Sequence, residues 1–181
     1  MRLSRLSRLC AAAVAAGALV LTQAAGPAAA AVNDLACNYD FHTFNACLHF
    51  EEPQLNSLDA HVGLDTVWPE QYAREIVAGG TGARASLWWE NGSHDRHVAD
   101  LTLVPGWPQA GPDGVGFEFV ATGLYRGDLD FHRSANEEES FYAKVTYVDP
   151  HNGNRFEYVT GTVTGDFKPF SDEPPCPTAC S

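Results

Sequence analysis

Basic residues are scarce in this chain: 11 lysines and arginines stand against 23 aspartates and glutamates, for a formal charge of −12. Three of the 11, Arg2, Arg5 and Arg8, lie in the first eight residues. Without residues 1–31, which hold no acid, the charge becomes −15. A surface so poor in cations excludes nucleic acid and anionic membrane faces as partners, since both need positive patches. Beyond the N-terminal segment there is also no apolar run long enough to span a bilayer, so stable membrane insertion is not expected.

The motifs of common catalytic sites are missing as well. There is no G-x-S-x-G, so no nucleophile elbow presents a serine. There is no H-E-x-x-H and no C-x-x-C, and the EF-hand order of oxygen ligands is absent. "GGTG" at residues 79–82 follows an expected helix instead of opening one, which removes a phosphate-cradling loop.

What is present begins with a leader. Three arginines precede the Ala/Val/Leu run of residues 10–22, Gly26-Pro27 breaks it, and Ala28 to Ala31 offer small residues for cleavage. This is the three-part pattern of a secretory signal peptide over residues 1–31, of bacterial type. It leaves residues 32–181 as one mature domain with an extracellular address. Cys37, Cys47, Cys176 and Cys180 remain in it, an even number that export favours as disulfides. Local pairs, Cys37–Cys47 and Cys176–Cys180, are expected because each brackets a short segment. The tail from residue 168, "KPFSDEPPCPTACS", is Pro-rich.

Two-residue alternation dominates the middle of the chain. "LDAHVGLDT" (58–66), "ARASLWWE" (83–90), "HVADLTLV" (97–104), "VGFEFVA" (115–121) and "FYAKVTYV" (141–148) each place apolar residues on one face. Residues 141–148 and 155–165 form the best-defined hairpin, turned by "DPHNGN". "WPEQYAREIVAGG" predicts one short helix, with Pro69 and Glu70 in its first turn and Gly79-Gly80 at its end. "PGWPQAGPDG" (105–114) reads as a Pro/Gly loop, and the acidic stretch 122–140 as a long loop without period. Together these predict an all-β fold: an antiparallel β-sandwich or open barrel of about seven strands with one short helix.

"LWWENGSHDRHVADL" (87–101) holds the densest chemistry. Asn-Gly makes it a hairpin tip, and His94 and His97, three apart across that tip, do not share a strand face. No metal site is expected there. The strand phase puts Trp89 in the core with Ala85 and Leu87, and Trp88 outward with Arg84, Ser86 and Glu90. An outward indole suits a ligand's apolar face, and Trp107 and Tyr125, in the two loops, are expected to extend it into an aromatic rim.

The acids Glu51 and Glu52, Asp128 and Asp130, and Glu137 to Glu139 show no spacing that sets two carboxylates across a cleft. No cofactor is expected; calcium, held by Asp128, Asp130 and Glu137 or Glu138, is the alternative weighed against that. His61, between Asp59 and Asp65 on a polar strand face, is the one acid–base candidate. The reading is a secreted, non-enzymatic binding protein that meets an extracellular protein or glycan through Trp88, Trp107 and Tyr125. Two alternatives stand beside it. One is an exported hydrolase acting on polysaccharide. The other is an extracellular protease inhibitor presenting the disulfide-braced segment 37–47.

Overall fold

Alternation in the sequence becomes alternation in burial. In a computed structural model, which describes residues 35–40, 42–132 and 138–170, Leu58, Ala60, Val62 and Leu64 are all at most 1% exposed, while the residues between them face outward. The expected leader and the Cys176–Cys180 pair lie outside the described residues. Ten strands and two helices follow in the order β1 (Ala36–Asp40), β2 (Phe44–Gln54), β3 (Ser57–Val67), α1 (Glu70–Gly79), β4 (Arg84–Trp89), β5 (Arg96–Leu103), β6 (Gln109–Gly111), β7 (Gly114–Tyr125), α2 (Arg126–Leu129), β8 (Glu139–Val148), β9 (Arg155–Val159) and β10 (Val163–Gly165). All pairs are antiparallel, and the sheet runs β1-β2-β3-β7-β5-β4-β8-β10, with β6 beside β7 and β9 beside β8. The all-β expectation holds, as a nearly closed barrel.

Four features differ from the sequence reading. Residues 37–47 are a strand pair, not only a disulfide-braced loop: Cys37 and Cys47 are directly opposed on β1 and β2 and bonded, as their spacing suggested. The return strand after "DPHNGN" is broken. Thr160 leaves the ladder and bonds Ala143 through both its amide and its side chain, and β10 resumes one residue out of register. The stretch 122–140 is not simply a loop. β3 holds β7 in register as far as Ser57↔Tyr125, and one helical turn, α2, follows directly. Residues 133–137 lie outside the described set. Finally, the strand count is ten instead of seven: β1, β2 and the short β6 were not among the expected strands, and the expected strand 155–165 is split into β9 and β10.

Side chains fill the barrel. Phe50, Phe141 and Phe167 pack edge to face, and Phe117 stacks on Tyr147. One end is covered by α1, whose Ala73 and Ile76 are fully buried. The other end is tied by Arg126, 1% exposed, which opens α2. Its guanidinium donates to Glu52 Oε2 at 2.9 Å, to the Lys168 carbonyl at 3.0 Å and to the Asp166 carbonyl, and lies 4.2 Å above the Phe170 ring. Asn56, in the left-handed region at φ 61°, grips the Phe170 backbone through both ends of its amide.

The barrel seam lies between β1 and β9 and is closed without a ladder. Asn38 Nδ2 donates to the Val159 carbonyl at 3.0 Å, and Phe44 meets Tyr158 with ring centres 4.9 Å apart. Gly161 sits against the β1 backbone so closely that a Cβ there would lie 2.8 Å from the Cys37 amide nitrogen. Backbone cannot yield as a side chain does. Gly161→Ala is therefore expected to cost about 1–3 kcal/mol, read as a lower urea midpoint; an unchanged midpoint would show that β1 does not press on this position.

Candidate functional site

The β4–β5 hairpin places its two tryptophans as the strand phase requires. Trp89 is 9% exposed and Trp88 half-buried on the outer face. Trp89 Nε1 donates to Glu139 Oε2 at 2.6 Å, and its ring stacks on Phe131 at 4.7 Å. Trp88 is outward but not bare. Its N–H is taken by Ser86 Oγ at 2.8 Å, the Lys144 ammonium sits 4.2 Å over its ring, and His97 meets it edge-on. His97 is in turn 3.0 Å from Asp100, while His94 stays at the exposed tip. Asp95 folds back under the tip; the Tyr142 hydroxyl at 2.7 Å, and next the Asn91 amide, hold it below the usual carboxylate range.

Beside this hairpin the sheet opens. β5 and β7 share a ladder only at Thr102↔Val120 and Leu103↔Phe119. Upstream of Thr102, β5 follows β4; past Val120, β7 stays with β3. A bulge bends β7 at this point: its register on β3 shifts between Leu58 and Ala60, opposite Gly123, whose φ is +71°. Bulges turn a strand away from its neighbour, and glycine adopts this backbone without strain. Asp59 Oδ1 secures the bend by accepting the Gly123 amide at 2.8 Å.

The gap is a cleft of about 740 Å³. Its β5 wall carries Arg96, His97 and Val98; its other wall carries Tyr125, Asp128 and Asp130, with Phe131 at the base. Tyr125 is 50% exposed, and its ring lies over Gly127, where a Cβ would come within 2.6 Å of it. Arg96 rests 4.9 Å above Phe131, whose ring also stacks on Trp89. The aromatic core thus supports the cation that faces the cleft.

Trp107 is elsewhere. It packs on Gly116, near the start of β7, and lines a second cleft of about 460 Å³ with Asp65, Gln109 and Asp113. Burial pushes the Asp65 carboxyl up. Nine residues of β7 separate Gly116 from Tyr125, about 30 Å of strand. The structure therefore does not bring the three expected rim aromatics together. Tyr125 lines the β5–β7 cleft, Trp88 touches that cleft's wall only through His97, and Trp107 is at the other end.

The acids are also redistributed. Glu139 turns inward, 1% exposed, and its carboxylate accepts from Trp89 and from the His132 amide at 2.7 Å, so it is unavailable to calcium. Glu52 is bound to Arg126. Glu137 lies outside the described residues. Among the described residues no three His, Cys, Asp or Glu groups stand, as placed, where they jointly hold an ion. No helix among them is long and apolar enough to cross a membrane.

One polar chain had no counterpart in the sequence reading. Asp149, fully buried, accepts from the Tyr72 hydroxyl at 2.5 Å and from the His151 amide at 2.9 Å. His151 Nε2 reaches Glu75 at 3.0 Å, and the Tyr72 and His151 rings stack at 4.7 Å. The Asp-x-His of "DPHNGN" was visible, but its partners come from α1, more than 70 residues earlier. These contacts bolt α1 to the β8–β9 turn. No family model matches the protein, and neither a curated protein nor a solved structure resembles it.

Two predictions follow from these packings. Trp89→Ala should destabilise by about 3–5 kcal/mol through cavity formation, and Trp88→Ala by roughly 1 kcal/mol or less; the reverse order in thermal melts would invert the β4 phase. The second concerns acid. Burial alone would raise Asp149, but the Tyr72 hydroxyl and the His151 amide and ring outweigh it and hold the carboxyl below its ordinary value. A carboxyl depressed by folding stabilises above its unfolded pKa of about 4 and loses that contribution as pH falls through its folded value. Asp149→Asn should therefore melt below wild type at pH 7, with the gap closing below pH of about 4. A gap independent of pH would remove the charge from the explanation.

Proposed function

We propose that this chain is an exported, non-enzymatic binding protein that takes a glycan in the cleft between β5 and β7. The observation that carries the reading is the placement of Tyr125. A half-exposed phenol ring, set against Gly127, borders a cleft that is also lined by Arg96, His97 and Asp128. A sugar presents an apolar face of C–H groups and an edge of hydroxyls. The ring suits the first, and planar charged groups that donate or accept paired hydrogen bonds suit the second. The volume lies within the usual range for small-ligand sites.

The distribution of charge favours binding over hydrolysis. Glycoside hydrolysis by two carboxylates needs them on opposite sides of the scissile bond. Here Asp128 and Asp130 both belong to the α2 wall, and the facing β5 wall contributes a guanidinium and an imidazole. An extracellular address rests on the leader pattern of residues 1–31 and agrees with the Cys37–Cys47 disulfide.

A glycan array should identify a ligand, and calorimetric titration should then compare variants. Tyr125→Ala and Arg96→Ala are each expected to weaken binding at least tenfold with melting temperatures near wild type. Trp107→Ala, at the opposite end of β7, should leave affinity unchanged. Loss in Trp107→Ala with full binding in Tyr125→Ala would move the site to the second cleft. No glycan bound by the wild type would end the glycan reading.

A further inference from the structure

The outer face of β2 and β3 carries a second constellation, independent of the cleft. His49 on β2 and His61 on β3 are directly opposed in register, with ring centres 6.0 Å apart. Glu51, two residues along β2 on the same face, reaches toward both: its oxygens lie 3.9 Å from His49 Nδ1 and 3.8 Å from His61 Nε2. These separations are too long for hydrogen bonds. Nor does any other group satisfy His61 Nε2. That atom is shut off from solvent and has no hydrogen-bond partner, alone in this among the side-chain polar atoms of the described residues. A buried ring nitrogen left unpaired calls for a physical reason, and an ion is one.

We propose that His49, His61 and Glu51 form a binding site for a divalent transition-metal cation of the zinc or copper class. The geometry is near what such an ion requires. At Zn–N and Zn–O distances of about 2.0–2.2 Å, two imidazoles sharing a tetrahedral ion have ring centres about 5–6 Å apart, and adjacent ligand atoms are about 3.3–3.5 Å apart. The Glu51 oxygens, at 3.8 and 3.9 Å from the two ring nitrogens, stand a few tenths of an ångström wider than this. Glu51 is the member that moves. Its side chain is 59% exposed, against 36% for His49 and 32% for His61, so a small rotation of the carboxylate closes the site while the strand-borne imidazoles stay in place. Two imidazoles and one carboxylate suit zinc or copper; magnesium and calcium prefer all-oxygen sets. A fourth position would be left to water or to a donor from a ligand. The ion would clip β2 to β3.

Zinc titration of the untagged protein at pH 7.5, followed by calorimetry, measures affinity and stoichiometry, and sub-stoichiometric Cu²⁺ locates the site by paramagnetic broadening of assigned imidazole resonances. One zinc per chain is expected, with micromolar affinity. His49→Ala and His61→Ala should each weaken it at least tenfold and Glu51→Gln severalfold, while His94→Ala, at the hairpin tip, should have no effect. Copper should broaden His49 and His61 before the other histidines. Unchanged zinc affinity in the His49→Ala/His61→Ala double variant, first broadening at other histidines, or no saturable binding below 1 mM would each overturn the proposal. If the double variant fails to fold, the broadening pattern of the wild type decides.

Discussion

The guanidinium of Arg126 is the constraint around which one end of the barrel is built. An isolated buried cation is too costly to persist, so the chain must surround it with acceptors, and those acceptors come from distant segments. Glu52 comes from β2, and the carbonyls of Asp166 and Lys168 come from the C-terminal segment. The second oxygen of Glu52 accepts the Asn56 amide at 3.0 Å, and the Asn56 carbonyl accepts the Arg126 amide at 3.0 Å. The result is a closed polar knot with each member holding another. It contributes less through net ion-pair energy than through position, because each of its hydrogen bonds is satisfied in only one arrangement of these segments. Tyr125 and Gly127 flank Arg126 in the chain, so the cleft wall inherits that arrangement.

A filled interior leaves clefts to the outer surface. Barrels of comparable strand number either pack their lumen or hold a ligand inside it. Here Phe50, Phe117, Phe119, Phe141, Tyr147 and Phe167 are each at most 2% exposed, and α1 adds Ala73 and Ile76 and α2 adds Leu129 to the buried set. Clefts are left to the outer surface, and one of them opens where two neighbouring strands part. The β5–β7 divergence is such a place, produced by a bulge at Gly123.

Much of this was legible from the chain. The alternation of β3, β4, β7 and β8 gave their faces directly, and the phase of "ASLWW" separated Trp88 from Trp89. β2 has the same signal in Ala46, Leu48 and Phe50, all at most 2% exposed, but its first residues fall inside the segment 37–47 that two cysteines mark as a braced loop. The end of β7 was illegible for another reason. "TGLY" has no alternation of its own and is strand because β3 pairs with it, a contact with residues more than 60 positions away. The grouping of Trp88, Trp107 and Tyr125 failed similarly. Sequence shows that an aromatic lies in or beside a turn, and not which end of the barrel that turn occupies. Arg126 looked like a loop cation, since burial of a charge depends on acceptors that only the fold assembles.

The histidine face and the cleft share a strand, and this joins two features that are otherwise separate. His61 and Asp59 both point outward from β3. One faces His49 across the β2 ladder; the other holds the Gly123 amide that bends β7. Tyr125 follows that bend by two residues. The β3 segment 59–61 is therefore paired with β2 on one side, where His61 opposes His49, and on the other holds through Asp59 the bend that precedes the cleft wall. A cross-strand bond at His61 would limit the motion of β3 relative to β2, and with it the play of Asp59 on Gly123. Coupling of this kind needs no change of shape, only a narrowing of the positions the wall samples before a ligand arrives. In the proposed glycan site a less mobile Tyr125 would lose less freedom on stacking, so order imposed on the outer face of β2–β3 would appear as affinity in the cleft.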